Sequence, residues 1–389
     1  MPALSSELAN LPALYAGFWD FCALIAFAEL KIADFLARMT HPVPLDALTA
    51  YCWRQHHHDS WEGVNSPSPD ASEVYVLACA PDVARMMRPM VRCGLVRLDK
   101  RGYYSLTSAG RTVISTEAGV WWDQVMLTAH PWSWNAARNL TSAVLGRGPT
   151  ELLSANGVRV TDGAVESMFD RLDHDPGLAE LFYRVAARHT AAFAGELSAR
   201  LLVNEGTKSV AAIGGGHGHL LASLLLDDPE LQGSLVERPG PASFAADVID
   251  THGLRLRCTV IPGDIFSADD LPTGQDVYIA ERVLQYCDDT HAERLLQGLA
   301  QVMHVDSQVW LVETVLGEPH ETEATDYLDL GLLAMLSGLL RTEAQHRALA
   351  WKSGLQVATT AALPAGLTLL ILIPLTGTCS AAQTEEPPS

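Results

Sequence analysis

The sequence predicts a mainly helical domain followed by a doubly wound α/β domain, in a chain of 389 residues and 42.0 kDa. Three observations support this prediction. Residues 209–374 contain short apolar segments separated by helical patterns, the order of parallel strands with crossover helices. A glycine-rich turn follows the first of these segments. Residues 8–106 instead show helices followed by a two-stranded hairpin, which is the order of a winged helix.

The N-terminal part is expected to contain helices and one hairpin. Residues 8–38 carry apolar positions at helical period, which predicts a long helix or a helix pair. Proline suits the first turn of a helix, so Pro81–Cys93 predicts a helix that stops at Gly94. Residues 54–72 are polar and rich in Ser and Pro, which predicts a loop. The other predicted elements are a helix over 45–51, strands over 95–98 and 103–106, and a turn over 99–102.

The remaining chain divides into a helical region and a sheet region. Residues 117–200 have a mostly helical pattern, and a helix over 220–226 follows the glycine turn. The predicted strands are Ser209–Ile213, Gly233–Glu237, Leu256–Ile261, Asp276–Ile279, Gln308–Glu313 and Leu367–Pro374. We therefore predict a winged-helix-like domain over 1–116, a helical linker and substrate cap over 117–205, a Rossmann-like domain over 206–377, and a disordered tail over 378–389.

The charge distribution limits the partners. The chain carries 26 Lys and Arg against 46 Asp and Glu, a net charge of −20. Residues 1–120 have a net charge of −2, and residues 121–389 have −18. Nucleic acids and anionic lipids both require a cationic surface, so neither is expected as a partner. Arg85, Arg88 and Arg92 share one helix face that could touch DNA phosphates, but the apolar rest of that helix favours burial against another chain.

Cysteine usage and hydropathy indicate a cytoplasmic protein. The seven cysteines are widely spaced and form no CxxC pair, which is typical of reduced thiols. No basic segment precedes an apolar run at the N-terminus, so no secretory signal is expected. Asp20 interrupts the apolar stretch 11–28, and the stretch 366–376 is too short for a membrane helix and contains Pro374. A membrane protein is therefore not expected.

The strongest local signal is the segment Val210-Ala-Ala-Ile-Gly-Gly-Gly-His-Gly-His-Leu-Leu221, in which a strand runs into glycines and a helix follows. Glycine lets the backbone turn sharply and lets a ligand approach closely. Gly214, Gly216 and Gly218 have the spacing GxGxG, and His219 stands where a dinucleotide fingerprint has its third glycine. The pattern favours a mononucleoside ligand over a dinucleotide.

Two carboxylates follow at the next strand ends. Glu237 comes nineteen residues after Gly218, where it can accept both ribose hydroxyl groups of a nucleoside. Asp264 follows the third strand, where it can face an adenine amino group, and Ile265 is its neighbour. A plain strand-to-helix turn would explain the glycines alone, but not the glycines together with both acids.

With these residues the chain resembles the S-adenosylmethionine-dependent small-molecule O-methyltransferases, whose winged-helix domain dimerises. The resemblance covers about residues 12–376 and rests on the motifs IGGGHG at 213–218, LVERP at 235–239, GDIF at 263–266, ERVLQYCDD at 281–289, LVETVLGE at 311–318 and RTEAQHRALAWKSGL at 341–355. It implies a class I methyltransferase domain with bound S-adenosyl-L-methionine. It also implies a homodimer with intertwined N-terminal helices and a small-molecule acceptor held between the mid-chain helices and the sheet.

The catalytic motif departs from the family pattern. The family's general base is a His in a motif of the form LHDW, and Gln285 stands at that position. Glutamine cannot take a proton near neutral pH. Glu313 matches the first of two glutamates that steer the family's His, whereas Leu340 occupies the position of the second. The resemblance therefore places Gln285 and Glu313 at the catalytic site without supplying a base.

The cofactor motif departs at two positions. Ala212 replaces an acid two residues before the first glycine, and Glu281 replaces a residue that is usually basic. Arg282 is adjacent and is predicted to substitute in cofactor binding. Three interpretations remain open: a methyltransferase whose acceptor needs no strong base, a methyltransferase-fold enzyme with other chemistry (hydroxylase, decarboxylase or pericyclase), and a non-catalytic partner subunit.

Other side chains have a weaker functional interpretation. Trp132, Tyr327 and Met335 are candidates for substrate contact, together with Trp134 and Asp326. His217 is a candidate for cofactor contact, whereas His219 and Cys287 are better explained by a helix start and by packing. The run His56-His57-His58-Asp59 could suggest a metal, but adjacent loop residues rarely face one ion, so no metal is expected.

Overall fold

The computed structural model describes residues 10–58, 69–116, 119–145, 168–202, 204, 206–317, 324–336 and 338–375. The chain separates into two compact units, Met1–Pro131 and Trp132–Ser389. The two units divide after Pro131, which is neither of the domain boundaries predicted at 116 and 205. Those two boundaries remain predictions. The predicted tail over 378–389 lies outside the described residues.

The first unit has the helix–helix–hairpin order of the predicted winged helix. A left-handed residue, Lys31 (φ 48°), separates the first two helices, so residues 8–38 form the predicted helix pair. Phe27, Ile32, Leu48 and Met87 are fully buried and form its core. The elements are α1 (Asn10–Glu29), α2 (Ile32–Arg38), α3 (Leu45–His58), α4 (Pro69–Arg92), β1 (Val96–Leu98), β2 (Tyr104–Leu106) and α5 (Trp122–Ala129).

The predicted loop over 54–72 is wrong at both ends. Helix α3 continues to His58, and helix α4 already begins at Pro69. Pro81 therefore lies inside a 24-residue helix and not in its first turn. A proline removes one helical hydrogen bond, and the other bonds of so long a helix outweigh that loss. The side chains of His56–His58 lie outside the described residues, so the metal interpretation of that run is not addressed.

Helix α1 exposes a stripe of large apolar side chains. These are Leu11, Leu14, Tyr15, Phe18 and Trp19, each between 48% and 69% exposed. Their spacing is i, i+3, i+4, i+7 and i+8, which places them on one helix face. Among the described residues, α1 is the one helix long and apolar enough to cross a membrane by length and composition. Asp20 on the same helix pairs with Arg92 of α4.

The second unit is built on a seven-stranded sheet, which confirms the predicted doubly wound α/β class. Its helices are α6 (Pro131–Arg138), α7 (Leu140–Val144), α8 (Met168–His174), α9 (Pro176–Ala191), α10 (Ala194–Leu202), α11 (His219–Asp227), α12 (Pro239–Thr251), α13 (Asp289–Val302), α14 (Ala324–Leu336) and α15 (Glu343–Lys352). Its strands are β3 (Ser209–Ile213), β4 (Gln232–Glu237), β5 (Cys258–Pro262), β6 (Val277–Glu281), β7 (Gln308–Glu313), β8 (Leu355–Leu363) and β9 (Leu367–Pro374).

The strand order is β5-β4-β3-β6-β7-β9-β8. The first five strands are parallel, whereas β9 runs antiparallel to both β7 and β8. Strand β8 was not predicted from the sequence, and the last strand was expected to be parallel. Only residues 364–366 connect β8 to β9, which is too short for a crossover and enforces an antiparallel hairpin. The apolar pattern of β8 is broken by Thr359, which is exposed, and by Thr360, which is half-buried, on the last strand of the sheet that the described residues form.

The sheet carries a core on both faces and brings one set of strand ends together. Alternate residues of β3 enter different cores: Val210 and Ala212 pack on one face, Ala211 and Ile213 on the other. The carboxyl ends of β5, β4, β3 and β6 meet at one edge, in that spatial order. In open α/β sheets, ligands bind at this edge.

Candidate active site

A cavity of about 510 Å³ opens at this sheet edge. The strand-end residues Gly214, Glu237, Asp264, Glu281 and Arg282 all line it. The helices contribute an apolar wall, and the residues involved are Phe169 from α8, Phe182, Tyr183, Ala186, Ala187 and Thr190 from α9, and Leu336 from α14. A cavity of this size, mainly apolar and with a few convergent polar groups, has the character of a small-molecule site.

The glycine turn after β3 has the backbone that its sequence requires. Gly214, Gly216 and Gly218 have φ values of 65°, 55° and 79°, in the region that favours glycine. A Cβ atom on Gly214 would lie 3.0 Å from Cγ2 of Val283, so the turn also needs the absence of a side chain there. Helix α11 starts immediately afterwards at His219. Gly214 and Gly216 line the cavity, which leaves their backbone open to a ligand.

Glu237 connects the end of β4 to this turn. Its Oε2 accepts the N–H of Gly216 at 2.9 Å, and its Oε1 accepts the N–H of Arg238 at 2.8 Å. Burial raises the pKa of Glu237 above its usual range, and the two N–H donors oppose that effect. Each oxygen retains a further acceptor position. Glu237 therefore holds the glycine turn and can accept ligand hydroxyl groups as well.

Asp264 and Ile265 follow β5 and both line the cavity. Oδ1 of Asp264 accepts the N–H of Phe266 at 2.9 Å, and the N–H of Asp264 donates to Asp270. These bonds fix the turn after the strand. Phe266 also lines the cavity and contacts the ring of His291 edge-on, with 5.3 Å between ring centroids. This end of the cavity thus combines the carboxylates of Asp264 and Asp288 with apolar and ring surfaces.

His217 lies in an aromatic stack. Its ring is 4.0 Å from that of Tyr183 and 4.9 Å from that of Phe244, with both pairs nearly parallel. Burial lowers the pKa of His217 to about 4, so the imidazole is neutral at physiological pH. Its Nε2 is buried and has no partner among the described residues. The stack connects the glycine turn to α9 and α12 and leaves one polar atom of the cavity wall unsatisfied.

Arg282 follows β6 with a left-handed backbone (φ 50°), which for a residue with a side chain costs about 1–2 kcal/mol. The residue is only 9% exposed, and its guanidinium donates to Glu281 at 2.6 Å and to the carbonyl of Ala186 at 3.1 Å. Its Nη1 lies 2.8 Å from Nδ1 of His189. The cation is therefore paired within the protein, so its charge is not free for a ligand.

Gln285 and Glu313, the two predicted catalytic residues, are both buried and do not belong to the lining of this cavity. Oε1 of Glu313 accepts the N–H of Leu284 at 2.8 Å, while its Oε2 has no partner among the described residues. Oε1 of Gln285 is also buried and without a partner in that part of the chain. The side chain of the next residue, Tyr286, lines the cavity instead. Glu313 thus holds the turn that contains Gln285.

Burial raises the pKa of Glu313 to about 7, although the N–H of Leu284 and the charge of Arg341 oppose this. A carboxyl group whose pKa is raised on folding contributes stability that is present below its unfolded value of about 4.3 and is lost as the pH rises through 7.

We therefore expect Glu313→Gln, which cannot ionise, to gain stability relative to the wild type between pH 5 and pH 8. The measurement is the urea unfolding midpoint of both proteins across that range. The exposed pair partner Glu343 offers the control variant Glu343→Gln. A constant difference between Glu313→Gln and the wild type at all pH values would contradict the raised pKa.

None of the three predicted substrate-contact residues lines this cavity. Trp132 is buried, Tyr327 is 79% exposed, and Met335 lies beside Gly331 on α14. The cavity-lining residue of that helix is Leu336. A helical pattern tells which face is apolar but not what that face meets, so these three remain predictions.

The aromatic wall of the cavity, formed by residues of α8 and α9 with Tyr286, was not predicted from the sequence. Phe169, Phe182 and Tyr286 contact one another with centroid distances of 5.6 to 6.2 Å, and the guanidinium of Arg238 lies 5.3 Å from the centre of the Phe169 ring. The adjacent pair Phe182-Tyr183 in a helical region was the available signal. Cys287 and His219 also line the cavity, while no group of three metal-ligating side chains occurs among the described residues.

Comparison with known proteins identifies the family. Residues 146–356, more than half of the chain, match the model of the O-methyltransferase domain. A curated relative, the mitomycin biosynthesis 6-O-methyltransferase of Streptomyces lavendulae, is 35% identical over 230 residues, which are 59% of this chain and only 62% of that protein. The aclacinomycin 10-hydroxylase RdmB of Streptomyces purpurascens is 32% identical over 154 residues, 39% of this chain and 41% of the hydroxylase.

Solved structures agree in fold over nearly the whole chain. The mitomycin 7-O-methyltransferase MmcR superposes with a TM-score of 0.78 at 25% identity, covering 95% of this chain and 98% of that one. The O-methyltransferase NcsB1 of neocarzinostatin biosynthesis, in complex with S-adenosylmethionine and 2-hydroxy-5-methyl naphthoic acid, has a TM-score of 0.69 at 24% identity, covering 92% and 96%.

The fold and the cavity define an α/β protein of the class I methyltransferase type. The chain belongs to the S-adenosylmethionine-dependent small-molecule O-methyltransferase family. The family predicted from the sequence is thereby confirmed.

Proposed function

We propose that this protein transfers a methyl group from S-adenosyl-L-methionine to a small molecule of secondary metabolism. The observation that supports this most directly is the order of polar groups along one sheet edge. Asp264, Glu237 and the glycine turn end three adjacent strands around one cavity. This order matches the successive base, ribose and sulfur-bearing parts of the cofactor.

The residues present fit this cofactor. Gly214, Gly216 and Gly218 keep the turn free of side chains, and Glu237 offers two acceptor oxygens to the ribose. Asp264 and Ile265 would hold the adenine, and Arg282 would lie at the opposite end. Bound S-adenosylmethionine supplies an electrophilic methyl group on a sulfonium ion. The chain's own residues bind and orient it and, through the aromatic wall, exclude water from it.

The binding test is calorimetric titration of the full chain with S-adenosylhomocysteine. We expect one site per chain with micromolar or tighter affinity. A folded protein, shown by circular dichroism, that does not bind at millimolar ligand would refute both methyl transfer and any other use of this cofactor.

The acceptor must react without a strong base from position 285. An amine, an enolisable carbon or an already acidic hydroxyl group satisfies this condition, because each presents an electron pair near neutral pH without base catalysis. The relative RdmB is named a hydroxylase, so a second candidate is non-methylating chemistry with the same bound cofactor. A partner subunit without catalysis is the third candidate. Mass spectrometry of products distinguishes them: a mass increase of one methyl group, another change, or none.

We expect Gln285→Ala to reduce turnover by less than about tenfold, because a lost acid–base group costs about a hundredfold or more and Gln285 is not one. The measurement is kcat with a methylated acceptor as product. Gln301→Ala, at an exposed position on α13, is the control. A loss above a hundredfold, with unchanged cofactor binding, would instead assign Gln285 a direct role in the reaction.

We further propose a cytoplasmic homodimer. The stripe on α1 exposes five large apolar side chains on one helix face, and the surrounding unit carries almost no net charge. A second copy of the same stripe fits such a surface, because a two-fold interface pairs identical patches. A single exposed patch of this kind on a helix is costly in water and is usually covered.

The expected mass in light scattering after gel filtration is that of two chains. The double variant Leu14→Asp with Phe18→Asp should elute as one chain, since it places two charges in the apolar stripe. Leu256→Asp is the control, because Leu256 is 97% exposed and lies in the second unit. A wild-type protein that elutes as a monomer would refute the proposal, and binding of the monomer to lipid vesicles would assign the stripe to a membrane.

A further inference from the structure

Arg238 connects the end of strand β4 to the helix that carries one side of the aromatic wall. It directly follows Glu237, and its N–H donates to Oε1 of that residue at 2.8 Å. Pro239 comes next and begins α12. A residue before proline is restricted to extended backbone, and Arg238 has φ −56° and ψ 152°. The backbone from Glu237 to Pro239 therefore has little conformational freedom.

The side chain of Arg238 makes three kinds of contact with α8. Its Nη1 and Nη2 bind the two carboxylate oxygens of Asp173, each at 3.1 Å. Its Nη2 also donates to the carbonyl of Phe169 at 2.7 Å, and the guanidinium lies 5.3 Å from the centre of the Phe169 ring. A planar guanidinium that meets both oxygens of a carboxylate is a strong and directional pairing. Arg238 thus contacts α8 near both of its ends.

Helix α8 depends on contacts of this kind for its position. It has only seven residues, and a helix of that length is not stable by itself in water. Its side chains Met168 and Leu172 are buried, at 2% and 4% exposed. The helix also approaches α12 closely, because a Cβ atom on Gly240 would lie 3.1 Å from Oδ1 of Asp173. The apolar face anchors α8 in the second unit, and Arg238 ties it to the end of β4.

The position of α8 decides where one side of the aromatic wall stands. The ring of Phe169 meets those of Phe182 and Tyr286 edge-on, with centroids at 6.2 and 5.6 Å. All three side chains line the cavity. Arg238 therefore lies between Glu237, which would accept the ribose hydroxyl groups, and Phe169, which completes the wall.

We propose that Arg238 is a positioning residue that couples binding of S-adenosylmethionine at Glu237 to the placement of α8, which rests on the proposed function of the cavity. Ligand hydroxyl groups that donate to Glu237 restrict its carboxylate and, through the N–H of Arg238, the adjoining backbone. The guanidinium then stays on Asp173 and Phe169, and α8 opens less often. Binding that restricts motion at one site favours order at a second site in this way. The wall for the acceptor is thereby completed when the methyl donor is in place.

Hydrogen exchange of the full chain, followed by mass spectrometry with and without S-adenosylhomocysteine, measures how often α8 opens. In the wild type, we expect the ligand to slow exchange over Met168–His174 by about fivefold or more, the lower end of coupling between two sites. In Arg238→Met, which keeps an apolar stem without charge or donors, it should slow this exchange by less than about twofold. Exchange over Glu343–Lys352 is the internal control, because no residue of that helix lines the cavity.

Calorimetry with the same ligand separates lost coupling from lost binding. By thermodynamic linkage, the dissociation constant of Arg238→Met should rise by no more than the factor by which the ligand slows exchange in the wild type. Arg238→Lys keeps the charge but not the planar contact with Asp173, so its protection of α8 should lie between those of the wild type and Arg238→Met. Arg255→Met, which removes a surface partner of Asp250, should behave as the wild type does.

Equal slowing of exchange over α8 in the wild type and in Arg238→Met would overturn the proposal. A wild type that binds the ligand without slower exchange there would overturn it as well, and both results leave the cofactor assignment intact. A folded wild type that does not bind would instead refute the proposed function too. Asp173→Asn covers the case in which Arg238→Met does not fold, because it changes only the α8 side of the pairing. Full protection of α8 by the ligand in Asp173→Asn would then overturn the proposal.

Discussion

Glu237→Ala is expected to weaken binding of S-adenosylhomocysteine by a hundredfold or more. The substitution removes two acceptor oxygens that would meet the ribose, and hydrogen bonds to a charged group each contribute about 1.5–3 kcal/mol. It also removes the acceptor that holds the N–H of Gly216, at 2.9 Å from Oε2 of Glu237. Both the contact and the conformation of the glycine turn are therefore affected.

The measurement is the dissociation constant by calorimetry, with thermal unfolding to show that the variant is folded. Glu230→Ala is a matched control, because Glu230 is exposed and lies just before the opposite end of the same strand. The affinity of Glu237→Gln should lie between those of Glu237→Ala and Glu230→Ala, since its amide keeps one acceptor oxygen. An affinity loss below about threefold for Glu237→Ala would place the ribose elsewhere.

Arg341→Met is expected to destabilise the second unit by about 2–6 kcal/mol, because each of the two buried carbonyls that it leaves without a donor costs about 1–3 kcal/mol. The side chain of Arg341 is 1% exposed. It donates to the carbonyls of Leu284 and Cys287, at 2.7 and 2.9 Å, and to Oδ1 of Asp289. These two carbonyls belong to the residues immediately before Gln285 and immediately after Tyr286. Loss of the guanidinium leaves them buried and unpaired, so the turn at the family's base position loses its fixed shape.

Thermal unfolding of the wild type and the variant measures this effect, and calorimetry with S-adenosylhomocysteine tests whether the loss extends to the cavity. Arg347→Met is the control on the following helix, since Arg347 pairs with Glu343 at the surface and such pairs contribute about 0–1 kcal/mol. Equal unfolding temperatures for the two variants would show that Arg341 does not stabilise the turn.

Much of the fold followed from local patterns. Strands β3, β7 and β9 were predicted with the bounds that the structure has, because an apolar run of five to eight residues between turn signals is a local property. The glycine turn followed from sequence for the same reason: a positive φ is a requirement on single residues. The antiparallel hairpin of β8 and β9 did not follow from a local pattern, since the direction of a strand depends on its pairing partner.

The candidate site was predictable only at the strand ends. Parallel strands bring their carboxyl ends together by topology, so Glu237 and Asp264 could be placed beside the glycine turn before any distance was known. The aromatic wall from α8 and α9 could not be predicted in this way. Phe182 and Tyr183 reach the cavity because α9 packs there, and the sequence pattern of a helix does not show which element it packs against.

Position 285 shows the same distinction. The resemblance in sequence implies that glutamine stands at the position of the family's base, since that prediction needs only the residue type at one place. Only the tertiary structure decided that Gln285 is buried while Tyr286 lines the cavity, because one residue of a short helical turn changes which side chain faces a ligand.

The charge of Arg282 is the clearest case. From the sequence it was predicted to substitute in cofactor binding for the basic residue that Glu281 replaces. In the structure it is paired with Glu281 and held by α9, about ninety residues earlier in the chain. The sequence by itself determined the class of protein and the strand ends that line the cavity, because both follow from short patterns of residues. The tertiary structure alone decided which charges are neutralised and which atoms remain for a ligand, because those depend on contacts between distant segments.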